Sequence, residues 1–311
     1  MSNLILPFQP LRPEVMNILA DRLDQVLGRL PPLGVAVNPA GRLPRAVKLL
    51  RSIHDAKAYP TTEAELIRVG NAIKAAFNFA RITDVLRPSC PPGLLPSLRR
   101  ALKGTLDDVG PTAAHRAQSE LIFGATLATG GARPGAPRQR TGKTPDFVAD
   151  VDTVNYSVEV KRPESAEAVE KKVRDAVGQI RDYHRKYPGV VALDLSDLLP
   201  APFGIRDMLG AQGAYQGPFE TACTMAQNYL VGRTADPGYG RIAVLFCFAE
   251  FFLWTVPNPH PLPHAALMFY WRVFPGASAG LIVEKSDKLG ELIFTGFQEF
   301  GGRVVRSLRM P

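Results

Sequence analysis

Three side chains in one short stretch have the types and spacing to do chemistry together. They are Asp146, Glu159 and Lys161, in the segment TPDFVADVDTVNYSVEVKRP (residues 144–163). Glu159 and Lys161 are two residues apart, so on a strand they share a face while Val160 turns to the other. Residues 146–152 and 156–161 alternate apolar and polar side chains around Thr153-Val154-Asn155. That pattern predicts a hairpin that carries Asp146 to Glu159. Two converging carboxylates are hard oxygen donors suited to Mg²⁺ or Mn²⁺, with the Val160 carbonyl as a further donor. A cation held there polarises a phosphodiester, activates water and neutralises the departing oxygen. Lys161 beside it can orient the water or hold the phosphate. Acids and a base on one face of an apolar sheet are costly without such a role. Asp150 and Asp152 alternate with Asp146 and form a second acidic candidate, should the hairpin pair in another register.

The pattern PD-x₁₂-ExK followed by a helix resembles the catalytic core of the PD-(D/E)XK nuclease superfamily, over residues 112–200. The resemblance implies an α/β fold with a restriction-endonuclease-like αβββαβ core, its mixed central sheet flanked by helices. Members often carry a metal-assisting glutamate on the first helix, and Glu120 in AQSELIFGA takes that place. Some branches carry QxxxY on the helix after the ExK strand. Gln179-Ile-Arg-Asp-Tyr183 matches it, with both side chains on one helical face. The implied site is thus Asp146, Glu159, Lys161, Glu120, Gln179 and Tyr183, with Asp146, Glu159, Val160 and Glu120 as donors to Mg²⁺ or Mn²⁺. The implied activity is endo- or exonucleolytic hydrolysis of nucleic acid, with DNA the default substrate on family grounds. The alternative is a catalytically inactive nuclease-fold protein that binds nucleic acid or scaffolds an assembly. Arg133, Arg138, Arg140 and Lys143 lead into Asp146 and offer phosphate contacts.

The elements that must position these residues can be read in outline. Pro111-Thr112 opens a helix to Ala128 that Gly130-Gly131 ends. A Gly/Pro/Arg-rich stretch, 132–143, reads as a loop. After the hairpin, Ser165 caps a helix with the stripe Val169, Val173, Ala176, Val177, Ile180, Tyr183 and Tyr187, stopping at Pro188-Gly189. Residues 190–195 read as a buried strand, 219–231 as a helix, 241–255 and 267–274 as strands, and 287–300 as a last helix. Residues 1–105 form an N-terminal helical region, with helices over 13–30 and 62–86 and a Pro-rich break at 87–93. Residues 106–311 form the nuclease-like domain.

Residues 1–105 hold 15 Lys+Arg and 7 Asp+Glu, so the whole net charge of +8 sits there, and the other 22 basic and 22 acidic residues cancel. A localised basic excess suits a polyanion. Cys90, Cys223 and Cys247 stand far apart without a CxxC pair, which points to free thiols in a reducing compartment. His260 and His264 are separated by prolines that rule out a helical zinc pair. There is no phosphate loop and no serine nucleophile elbow. The longest apolar run, 242–256, is broken by Glu250 and too short to span a bilayer. With no basic leader in MSNLILPFQPLRPE, the expected location is the cytoplasm, without membrane association. The N-terminal helices are also candidates for homo-oligomer formation.

Overall fold

The computed structural model describes residues 6–7, 11–85, 94–107, 112–137, 144–183, 187–199, 208–236, 238–255, 262–274 and 288–296. After a two-residue strand β1 (Leu6–Pro7) come α1 (Met16–Arg29), α2 (Arg42–Ala56), α3 (Glu63–Val85) and α4 (Leu95–Ala101). Next are α5 (Ala113–Thr129), β2 (Arg133–Gly135), β3 (Phe147–Val151), β4 (Val154–Lys161), α6 (Ala168–Tyr183) and β5 (Gly189–Asp194). The chain continues through α7 (Met208–Val231), β6 (Ile242–Thr255) and β7 (Leu262–Val273) to a helix over 288–296, here α8.

The helices form where period and capping agree. In α1, Met16, Leu19, Ala20, Leu23 and Val26 make one buried stripe. At the start of α3 the Glu65 N–H donates to the Thr62 hydroxyl at 3.4 Å, and that hydroxyl donates to the Glu65 carboxylate, which caps the helix. The Thr112 hydroxyl caps α5 by accepting from the His115 N–H. α2 and α4 were not expected. α2 starts at Gly41, which has no side-chain cap, and contains Pro44, so its start signal is weak. α4 spans under two turns behind the Pro-rich break, and that break lies outside the described residues.

The sheet order is β1-β7-β6-β5-β4-β3-β2. The middle pairs β4–β5 and β5–β6 are parallel and the others antiparallel, which makes the sheet mixed. The chain is therefore α/β, with helices on a mixed sheet. Two expectations need correction. Arg133–Gly135 is not loop but edge strand β2, extended because it pairs with Val148–Asp150. The hairpin turn is Asp152-Thr153 rather than 153–155: both residues have positive φ, at 46° and 71°, and Val154 and Asn155 already belong to β4.

One core cluster runs from Leu19, Leu50 and Ile73 of the N-terminal helices through Phe123 of α5 to Phe147, Val158 and Phe246 of the sheet. The division near residue 105 thus marks a change of elements, while the packing continues across it. The Phe123 ring sits 5.5 Å from Phe246 and 6.3 Å from Phe147, pinning α5 to the sheet. On the other face α6 and α7 cover Val191, Leu193 and Leu245. α5 meets α8 backbone to backbone: a Cβ at Gly130 would stand 2.1 Å from the Leu292 oxygen, and one at Gly296 would stand 2.2 Å from the Thr126 oxygen. Among the described residues no helix is long and apolar enough to cross a membrane.

Candidate active site

The register of the hairpin decides which acids meet. Phe147 pairs with Val158, so Asp146, one residue before β3, stands opposite Glu159. The two are tied in both directions: the Asp146 N–H donates to Glu159 Oε2 at 3.0 Å, and the Val160 N–H donates to Asp146 Oδ2 at 2.8 Å. Asp150 pairs with Asn155 at the far end of the hairpin, and Asp152 is in the turn, ion-paired to Lys288. Neither approaches the Asp146–Glu159 pair, and the second acidic candidate falls.

Lys161 shares the Glu159 face and donates to Glu159 and, at 2.8 Å, to Gln179 Oε1 on α6. Gln179 in turn donates to the Thr144 carbonyl at 3.2 Å, so its amide spans from the lysine to the segment entering β3. The Gln half of QxxxY therefore stands in the cluster. Tyr183, one turn on, is buried with its ring 6.5 Å from that of Tyr187. Glu120 is turned toward α4: its Oε2 accepts from Ser97 and, at 2.9 Å, from Arg100. Its charge still reaches Asp146. Val160 has its side chain in the core and contributes its N–H to the clamp. Arg133 is exposed on the edge strand β2, and Arg138, Arg140 and Lys143 lie outside the described residues.

Burial and neighbouring like charge both disfavour the ionised carboxylates at this site. Burial, then the Glu120 charge, push the Asp146 carboxyl up to about 7. Burial, then the Asp146 charge, push Glu159 up to about 8, although Lys161 pulls the other way. Among the described residues no three or more His, Cys, Asp or Glu side chains are grouped to cage an ion. The donor set here is a pair of carboxylates, Asp146 and Glu159. That fits Mg²⁺, which takes one or two carboxylates and fills its other positions with water and substrate phosphate.

Sequence reading missed the groups behind this cluster. Ser97 and Arg100, which hold Glu120, sit on the unexpected α4, three residues apart on one turn. Arg162, beside Lys161, points to the other face of the sheet. It is 7% exposed, makes two bonds to Asp197 at 2.7 and 2.6 Å, and reaches Asp194 at 3.0 Å. Glu250 of β6 is close by, with Asn78 donating to it at 2.7 Å and Arg81 at 3.4 Å, both from α3. The only signal was charge inside apolar strands, at Asp194 and Glu250.

Compared with protein-family models, with curated proteins and with solved structures, the chain finds no match in any of the three.

Proposed function

We propose that this chain is a metal-dependent nuclease that hydrolyses phosphodiester bonds of nucleic acid, with DNA as its substrate. The reading rests on one observation: a buried glutamate and a half-buried aspartate are locked to each other across a hairpin, and the glutamate's lysine partner is held by a helix-borne glutamine. The succession α5, β2, β3, β4, α6, β5 has the αβββαβ order that the resemblance implies, and this supports a restriction-endonuclease-like core.

In this reading Asp146 and Glu159 hold Mg²⁺ or Mn²⁺, which when bound supplies Lewis-acid polarisation of the phosphate and a nucleophilic water. Lys161, held by Gln179, presents its ammonium to the scissile phosphate or the attacking water. Arg100 and Ser97 fix Glu120 behind Asp146, where its charge favours occupation by a cation. Arg133 on the exposed edge strand is placed to meet backbone phosphate without reading sequence.

The test incubates the full chain with plasmid and oligonucleotide substrates in Mg²⁺, Mn²⁺ or EDTA, beside Asp146→Ala and Lys161→Ala. The expected result is cleavage that needs a divalent ion and falls by at least about 100-fold in either variant, the scale of losing transition-state charge stabilisation. Cleavage indifferent to both substitutions would remove the site assignment. No cleavage of any substrate with either ion would leave a nucleic-acid-binding or scaffold protein.

A further inference from the structure

The N-terminal helices border a half-open cavity of about 640 Å³ that the Asp146–Glu159 cluster does not use. Its walls are the C-terminal half of α1, the loop from Gly34 to Gly41, the first turn of α2, and the chain from Arg99 to Thr105. Arg45, Arg99 and Lys103 line it, and no Asp or Glu is among its described lining residues. Arg45 and Lys103 are exposed at its mouth. Arg99 is braced across the loop by donating at 3.0 Å to the neutral Gly34 carbonyl, and among the described residues it forms no ion pair. Buried Arg42 forms the back wall and reaches Gln118 at 2.8 Å.

We infer that this cavity is a binding site for a ligand with two or more phosphates on an organic group, either a nucleoside polyphosphate or a short run of phosphodiester backbone. Arg45, Arg99 and Lys103, with buried Arg42 behind them, suit more negative charge than a single phosphate carries. The first turn of α2 opens at a glycine without a side-chain cap, and its positive dipole end has the same preference; Pro44 has no N–H, and those of Gly41 and Arg45 are bonded to the Asn38 and Gly41 carbonyls. The volume falls in the range of small-molecule sites, about 300–1,000 Å³, and far exceeds what inorganic phosphate fills. Leu27, Val35, Val37 and Leu102 give it an apolar side. Asn38 and Thr105 give polar edges that suit a base and sugar better than an acyl chain. The basic excess of residues 1–105 thus has a place to act. α4 carries Arg99 to this cavity and Arg100 to Glu120, on adjacent residues. The inference stands apart from the nuclease reading, because no group of the Asp146–Glu159 cluster lines the cavity.

The test is calorimetric titration of the full chain in EDTA and low salt with ATP and, separately, with a 5′-phosphorylated pentathymidylate. Wild type is compared with Arg45→Glu/Lys103→Glu and with a control reversal, Lys48→Glu/Lys57→Glu, at exposed positions of α2 and its end. At least one probe should bind one-to-one and weaken at least about tenfold in the cavity variant, while the control and Asp146→Ala stay near wild type. Binding of ATP alone marks a nucleotide site, and binding of the oligonucleotide alone marks a strand site. The inference is overturned if neither probe binds at millimolar concentration, or if the control reversal weakens binding as much as the cavity reversal. Because Asp146→Ala keeps binding but loses cleavage, failures of the two readings are distinguishable.

Discussion

Asp146 and Glu159 carry a consequence that needs no substrate. With divalent ions removed, both carboxyls titrate in the folded chain at about 7 and about 8, above the ordinary values near 4 of the unfolded chain. Between those values the folded state keeps protons that the unfolded state has lost, so stability falls as pH rises from about 5 to 8. Glu159→Gln removes one of these titrations at nearly constant shape. It should be more stable than the parent at pH 8.5, by on the order of 1–2 kcal/mol, with the difference shrinking at pH 5.5. Urea midpoints in EDTA at the two pH values measure this, and a parent that gains stability across the window contradicts it. The pair was legible in sequence, because a Pro-Asp step and an ExK triplet flanking a turn leave few ways to place two carboxylates. Ser97 and Arg100 were not, because they reach Glu120 across 23 and 20 residues, from a helix too short to show a period.

The hairpin that makes the pair contains its own strain. A two-residue connection with positive φ at both positions is the mirror turn that matches strand twist, and it favours Asn-Gly or Asp-Gly. Here the second position is Thr153 at φ 71°, a β-branched residue in the left-handed region. Thr153→Gly should therefore raise stability by about 1 kcal/mol, read as a shifted urea midpoint, and leave metal-dependent cleavage unchanged. No gain would mean that the strand pairing beyond the turn already absorbs the cost. The same turn shows why the sequence reading slipped by a residue there: Thr and Val both carry strand propensity, and the chirality that moves the turn to Asp152-Thr153 leaves no trace in apolar alternation. β2 escaped for a related reason. Arg-Pro-Gly has no strand preference, and pairing with β3 alone extends it.

At the scale of the whole molecule, the centre of the sheet is its least local part. The order β4-β5-β6 and its parallel sense follow from crossovers by α6 and α7, which periodicity within a segment does not encode. The N-terminal helices are tied to this centre through Glu250: Asn78, Arg81 and Lys74 of α3 all bond to that residue, the last through its carbonyl at 3.2 Å. Glu250→Ala leaves the Arg81 cation without that carboxylate in a largely buried position and should cost about 3–5 kcal/mol. Because one core joins both parts, the parent should unfold in a single transition. Two separate transitions in the parent, or a loss below about 1 kcal/mol in the variant, would show that α3 is only loosely attached.

Asn78 and Glu250 are 172 residues apart. At about 5–20 residues per second of synthesis, Asn78 of α3 is made roughly 10–30 s before the carboxylate that meets it exists. Asp146, Glu159, Lys161 and Gln179 are all synthesised before that contact can close. Timing of translation therefore separates docking of the N-terminal helices on α5, which needs no residue beyond 129, from their later tie to the sheet at Glu250. A ribosome that stalls before residue 250 would hold the N-terminal helices on α5 alone, through Arg42–Gln118 and Arg100–Glu120, without the Glu250 tie to the sheet.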